Sequence, residues 1–502
     1  MIKKNRMSKN AIVIGAGVAG LAAAVRLSCE GYAVTVFESN HFIGGKINSK
    51  TINGYRFDMG PSVFTGPEYI KELYDLCKED FSTFKYQKLA YTFNYFYSDG
   101  LNFNLSADRE TLLNQLSEHL NEDKEVLRKY LSKAEKNYNT ISPLFIEKSL
   151  HRFKHLLNKK LIKALFNIPN YKLHQTMNQE NENTFRNSRT VQLFNRFASY
   201  NGSSPYQAPA MLNMIQHLEL NVGAFLPEKG MVQIVNAIYE LGLKKGVTYQ
   251  LNESVTKINI EDNRVKGVTT NKGTYQADVV ISNMDVSFTY EKLMPLVKKP
   301  LKTIYQEKSS SAIVFYWGIK KEFKNLGVHN IIFSENYKKE FEDIFINKTQ
   351  NSDPTIYINI TSKEIKSDAP EGCENWFVMT NSTNNFGQDW DEEVKKLKQL
   401  LITKINKILN TTIENYIDYE EVLHPLLIEQ KYSGKFGSIY GNASNNKYAA
   451  FYRHANFSKE IKGLYFVGVT VHPGGGIPLA LNSAKIAIEC LKEDLSKKEN
   501  RQ

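Results

Sequence analysis

Ala11-Ile-Val-Ile14-Gly15-Ala-Gly17-Val-Ala-Gly20-Leu21-Ala-Ala-Ala-Val-Arg-Leu27 is the stretch on which the fold turns. Ala11 to Ile14 is apolar and half β-branched, which predicts a short buried strand. Leu21 to Leu27 reads as a helix, and Tyr32-Ala-Val-Thr-Val-Phe37 as a second strand ending in Glu38. A strand, a Gly-x-Gly-x-x-Gly turn, a helix and a second strand ending in an acid compose a dinucleotide-binding βαβ unit. Gly15 permits the tight turn, Gly17 lets the backbone approach a pyrophosphate, and Gly20 lets helix and strand pack closely. The helix N-terminus offers unpaired N–H groups to phosphate. Glu38 is placed to accept both hydroxyls of an adenosine ribose. It would repel a 2′-phosphate, which disfavours NADP.

The chain has 502 residues, too many for one ordinary core and enough for two or more intermixed domains. With 42% hydrophobic and 23% charged residues, wholesale disorder is excluded. A net charge of +11 is easily carried at this length and hints at an anionic surface partner. Nucleic acid is not expected, because no nucleic-acid module accompanies the charge. Cys29, Cys77, Cys373 and Cys490 show neither CxxC nor metal spacing, so neither a disulfide framework nor a metal site is expected, and a cytoplasmic setting is. No apolar run reaches the roughly 18–20 residues that span a bilayer. Basic Met1 to Asn10 before apolar Ala11 to Val25 imitates a secretory signal, but the glycines inside that stretch have the nucleotide explanation.

Further along, Ile43-Gly44-Gly45-Lys46 follows the acid. Asn53-Gly54 predicts a hairpin turn before Tyr55-Arg-Phe-Asp58-Met-Gly60-Pro61-Ser62-Val63. Residues 248–281 alternate as strands, with turns at Asp262-Asn263 and Asn271-Lys272-Gly273, and lead to Ala277-Asp-Val-Val-Ile281-Ser-Asn283. Near the C-terminus, Leu464 to Val467 reads as a buried strand. A glycine loop from Gly468 to Gly476 then opens a helix from Ile477 to Leu491, with Pro478 in its first turn. Such a helix start stabilises negative charge. Residues 148–175 are basic and carry leucines at helical spacing, which suits either a core-packed surface helix or contact with anionic lipid. The Asn-rich patch near 178–189 reads as a loop. The Tyr/Phe-rich stretches 91–97 and 313–317 read as strands that are also candidate walls of an apolar cavity.

Taken together, the motifs at 11–62, 248–283 and 463–485 resemble the amine oxidase and phytoene desaturase superfamily across nearly the whole chain. The resemblance implies an α/β (α+β) architecture: a Rossmann-like FAD-binding domain with an inserted substrate-binding domain. FAD would be held by parts at 1–90, 226–300 and 431–502, with a substrate- and membrane-facing insertion at 91–225 and a substrate-binding sheet region at 301–430. It implies cofactor contacts at Gly15, Gly17, Gly20, Glu38, Gly45, Lys46, Ser62 and Val63, then at Val255, Asn283, Gly468, Gly475 and Ile477. The superfamily usually has Arg after the double glycine. Lys46 keeps the charge but loses the bidentate fork.

Gly468-Val469 stands where the wider superfamily often has Gly-Asp, and with His472-Pro-Gly-Gly-Gly-Ile-Pro478 it matches the carotenoid desaturase branch. Within that branch, residues 57–65, 195–209 and 223–230 look most like the 1-hydroxycarotenoid 3,4-desaturases, or methoxyneurosporene-type dehydrogenases, of marine flavobacteria. That likeness implies a 1-hydroxylated acyclic or monocyclic carotenoid, dehydrogenated by transfer of a hydride to flavin. It also implies peripheral membrane contact, with 148–175 as the candidate surface. The competing readings are a phytoene or diapophytoene desaturase, a carotenoid oxygenase, and a flavin-free prenyl-lipid carrier like the GDP-dissociation inhibitors. His472 is the one candidate catalytic residue, and it could equally hold its turn by hydrogen bonding. Glu147 and Arg152 sit where a substrate would enter, though both also read as solvated charges.

Overall fold

The computed structural model describes residues 9–152 and 171–499. A five-stranded parallel sheet has the order Leu464–Phe466, Val279–Ser282, Asn10–Ile14, Ala33–Phe37, Thr248–Gln250. The start, middle and end of the chain therefore meet in one sheet. The first helix, Val18–Cys29, packs against the helices Val232–Lys244 and Ile477–Glu499. Ala22, Ala23 and Ala24 are fully buried there, and their small side chains let the helices approach. The last helix runs well past Leu491.

A meander of three antiparallel strands, Val255–Glu261, Arg264–Thr270 and Thr274–Gln276, lies beside this sheet. Asp262 and Asn263 both have positive φ, at 49° and 53°, the conformation a two-residue hairpin turn requires. Asn53-Gly54 makes the same kind of turn, at 50° and 82°.

The second large sheet has seven strands in the order Ile417–Leu423, Ser311–Ile319, Glu374–Ser382, Ile356–Ile360, His329–Ile332, Tyr91–Phe96, Asn102–Ser106. Alternate residues face opposite sides. One face carries Phe315, Trp317, Ile358 and Trp376 onto Leu397, Leu401 and Ile405 of the helix Trp390–Leu409. The other carries Phe93, Tyr95, Tyr316, His329, Tyr357 and Phe377 toward residues 57–63. Of the two expected cavity walls, 91–97 turns Phe93 and Tyr95 to this inner face. In 313–317 only Val314 and Tyr316 lie there, while Phe315 and Trp317 are packed beneath the sheet. All nine residues of Ser311–Ile319 are buried, so the apolar run concealed which were which.

The patch near 178–189 is not a loop. It forms the helices Met177–Thr184 and Ser188–Asn195. Thr176 and Gln179 make a reciprocal capping box, and Asn187 caps the second helix by accepting from the Arg189 N–H at 2.9 Å. Buried Asn181 joins the two elements, its amide donating to Asn195 Oδ1 at 2.8 Å. The basic helix expected at 148–175 falls mainly on residues 153–170, outside the described residues. At its described ends, Lys148 pairs with Glu489 and Arg152 with Asp494, each at 2.8 Å, and Lys172 lies 3.5 Å from Glu180.

Candidate functional site

The Gly15 N–H donates to the Phe37 carbonyl at 2.8 Å, which closes the turn between the first two strands. A Cβ on Gly20 would lie 2.1 Å from the Gly15 carbonyl oxygen, so only glycine allows the helix this close to the turn. The Ala16 N–H donates to Glu38 Oε2 at 2.8 Å, and Asn40 donates to Oε1 through both its backbone and side-chain nitrogens, each at 2.9 Å. The buried acid is thus oriented by the phosphate turn itself. Gly17 caps the helix without a side-chain cap bond, which leaves the first helical N–H groups to a ligand.

The other expected residues gather around this turn. The Gly44 N–H donates to the Ala16 carbonyl at 2.8 Å, and a Cβ on Gly45 would sit 3.5 Å from Gly17 Cα. Asn283 bridges the two ends of the chain. Its amide lies 3.4 Å from the Gly15 carbonyl, while its Oδ1 would stand 2.8 Å from a Cβ on Gly468. The Glu253 N–H donates to the Glu38 carbonyl at 2.9 Å, and this brings the strand that starts at Val255 beside the acid. Gly468, at φ 107°, donates its N–H to Ser483 Oγ at 2.8 Å, which ties the loop to the last helix near Ile477. A Cβ on Gly475 would stand 2.6 Å from Tyr440 Cβ. Lys46 is directed differently. Its Nζ donates to the Ile439 carbonyl at 2.9 Å, and burial lowers its pKa to about 8 despite nearby Asp285.

His472 is almost wholly enclosed. Its Nε2 donates to the Lys148 carbonyl at 2.9 Å, and its ring meets His151 edge-on at 5.9 Å. Burial lowers its pKa to about 3, so it is neutral at physiological pH and holds residues 148–151 against the glycine loop. Asn456 fixes the loop from the other side, donating to the His472 carbonyl at 2.7 Å. Arg453 lies at the same loop, its Cζ 2.8 Å from where a Gly474 Cβ would stand. It is buried, its Nη1 has no hydrogen-bond partner among the described residues, and no acid among them pairs with it. Burial lowers its pKa to about 10, so the guanidinium remains charged at neutral pH.

At the inner face of the seven-stranded sheet, Ser62, expected as a cofactor contact, meets Tyr357 and His329, and beside them lie Arg196 and Glu219; the sequence reading singled out none of these four partners. Ser62 Oγ lies 2.8 Å from the Tyr357 hydroxyl, which lies 2.8 Å from His329 Nδ1. The Asn359 amide, 3.1 Å from that same Nδ1, makes it an acceptor and leaves the proton on Nε2. Nε2 is buried without a partner among the described residues. Burial, with Arg196 nearby, lowers the His329 pKa to about 3. Arg196 itself forms a buried ion pair with Glu219, is 3.2 Å from the Tyr200 hydroxyl, and lies over the Phe93 ring at 4.4 Å. Val63 packs into this same cluster. Strand parity marks Phe93, His329 and Tyr357 as sharing a face once the pairing of their strands is known, and the pairing that brings Phe93 to the other two, across more than 200 residues, is not written in either strand.

A phosphate turn with an oriented acid, a double glycine laid on it, and a C-terminal glycine loop joined through Asn283 are the parts of a flavin-dependent oxidoreductase site. The chain belongs to the family of flavin-containing amine oxidoreductases, whose match spans residues 18–491, and within it to the carotenoid desaturases. It is 50% identical to a 1-hydroxycarotenoid 3,4-desaturase from Flavobacterium sp. (strain P99-3), over 96% of this chain and 99% of that one. It is 32% identical to a 4,4'-diaponeurosporene oxygenase of Staphylococcus aureus, over 95% and 97% of the two chains. An oxidoreductase from Methanosarcina mazei shares the fold at TM-score 0.61 and 16% identity, over 96% of this chain and all of that one. The protein is an FAD-dependent oxidoreductase.

Proposed function

We propose that the enzyme introduces a C-3,4 double bond into 1-hydroxylated acyclic or monocyclic carotenoids. The observation that carries this reading is the polar triplet Ser62, Tyr357 and His329 set in an otherwise aromatic wall, with the His329 Nε2 proton unpartnered. A hydrocarbon has no use for a buried donor, and leaving one unpaired is costly. A substrate hydroxyl satisfies it, and the 50% identity to a 3,4-desaturase points the same way.

In this reading Gly15, Gly17, Gly20 and Gly45 hold the pyrophosphate, Glu38 the ribose and Val255 the adenine. Asn283, Gly468, Gly475 and Ile477 hold the flavin end. FAD, when bound, supplies the hydride acceptor. The chain's own residues do the rest. Phe93, Tyr95, Tyr316 and Phe377 exclude water and keep the polyene straight. Ser62 and His329 fix the hydroxylated end in register, so that the C-3,4 bond, which begins two carbons from the hydroxyl-bearing C-1, is the one oxidised. Removal of the hydride would leave a positive charge that the polyene spreads, and loss of the proton from the neighbouring carbon then closes the double bond, so only a weak acceptor is required. The enzyme works on the cytoplasmic side, peripherally bound to the membrane that stores its substrate. Among the described residues no helix is long and apolar enough to cross a membrane.

The test is to supply the purified, flavin-loaded protein with a 1-hydroxylated carotenoid in vesicles and to chromatograph the pigments. A product lacking two hydrogens, its polyene extended toward the hydroxylated end, supports the proposal. Conversion of phytoene alone, or a product that has gained oxygen, as the name of the diaponeurosporene oxygenase relative suggests, overturns it.

A further inference from the structure

Among the described residues fourteen large apolar side chains are exposed, and six of them fall on two short segments: Leu296, Leu301 and Tyr305 on one, Tyr448, Phe451 and Tyr452 on the other. Leu296 is fully exposed and Tyr305 is 74% exposed, values that no packed side chain shows. The segments are neighbours. The Gln306 side-chain amide donates to the Tyr452 carbonyl, and Lys308 bridges to Asn442 just behind them. Contiguous exposed apolar surface of this kind marks an interaction site.

The charges around it are mainly basic. Lys298, Lys299, Lys302 and Lys447 stand among these residues, and none of them makes an ion pair with an acid among the described residues. The acid nearest in sequence, Glu307, is held by the Asn445 amide at 2.8 Å. Aromatic and leucine side chains ringed by lysines match the boundary of an anionic bilayer, where the rings enter the headgroup layer and the ammonium groups meet lipid phosphate. A protein partner would favour a face with paired charges of both signs.

We propose that residues 296–305 and 448–452 form the face by which the protein seats itself on an anionic lipid bilayer. The position suits the task. Arg453 follows Tyr452 directly and lies against Gly474, so the docked face adjoins the glycine loop. The inference rests on the lipid-soluble substrate proposed above. Of the 148–175 stretch, Lys148, Arg152 and Lys172 are engaged with acids of the protein itself, and the rest lies mainly outside the described residues.

The test is co-sedimentation of the full-length, flavin-loaded protein with vesicles of phosphatidylcholine, with and without phosphatidylglycerol, read without substrate so that a wrong substrate assignment leaves the result untouched. Binding to the anionic vesicles is expected, and it weakens as salt is raised. The double variant Leu296→Glu/Phe451→Glu should lower the bound fraction by roughly 10-fold or more while flavin content and turnover of detergent-dispersed substrate stay unchanged. Lys298→Glu/Lys302→Glu should abolish the preference for anionic lipid. Unchanged binding by the apolar double variant overturns the proposal. So does an apolar variant that merely converts a dimer into a monomer, which would make the face a contact between copies. Loss of binding only when residues 153–170 are deleted would return the anchor to that stretch.

Discussion

The Tyr357 hydroxyl stands 2.8 Å from His329 Nδ1 and, on its other side, 2.8 Å from Ser62 Oγ, so a single phenol links the inner face of the seven-stranded sheet to the segment after Gly60. If the triplet reads the substrate hydroxyl, His329→Phe and Tyr357→Phe should each reduce kcat/KM for the hydroxylated carotenoid by about 10- to 100-fold. Conversion of an analogue without the hydroxyl should change little. Equal losses on both substrates would reduce the triplet to a structural role.

Arg453 brings to the glycine loop a buried charge that no acid among the described residues pairs with. A fixed cation beside a flavin favours its reduced, anionic form. Arg453→Met should therefore lower the flavin reduction potential and weaken sulfite addition to the oxidised flavin, both read spectroscopically. An unchanged potential would place Arg453 outside the flavin's field.

Arg196 and Glu219 are both buried, and each is the other's counter-charge. Removing one leaves an uncompensated charge, so Arg196→Met or Glu219→Gln should destabilise the fold by about 3–5 kcal/mol. The double variant Arg196→Met/Glu219→Leu should cost less than the sum of the two. Chemical unfolding of the four proteins measures the difference, and simple additivity would contradict a direct pairing.

Lys46 titrates near pH 8 in the folded chain, below its ordinary value. Below that pH the ammonium is charged in both states and burial opposes folding. As pH rises from about 8 toward the ordinary lysine range the folded form has shed its proton and the unfolded form still carries one, so this opposition is relieved. The stability of wild type relative to Lys46→Met should rise over that window. A flat difference would mean that the ammonium remains hydrated.

What was legible in the sequence was local. Gly15, Gly17 and Gly20 with Glu38 announce their turn because backbone conformation, close packing and ligand approach all impose themselves within a few residues. The loop at Gly468 to Gly476 does so for the same reason. The polar triplet was hidden, because His329 and Tyr357 meet through strand pairing and Ser62 reaches them from outside any strand. Arg196 and Glu219 look like solvated charges until burial is known. The two helices between 177 and 195 were hidden by their composition: asparagine argues for a loop unless it caps a helix, as Asn187 does, or is bonded inside, as Asn181 is.

The most direct measurement is pigment chromatography of cells that make a single 1-hydroxylated carotenoid and express this chain. A new pigment lacking two hydrogens, with the added double bond at C-3,4, is the result predicted here. If the hydroxylated carotenoid accumulates unchanged while the same cells desaturate supplied phytoene, the reading of the His329 wall as a hydroxyl site is contradicted.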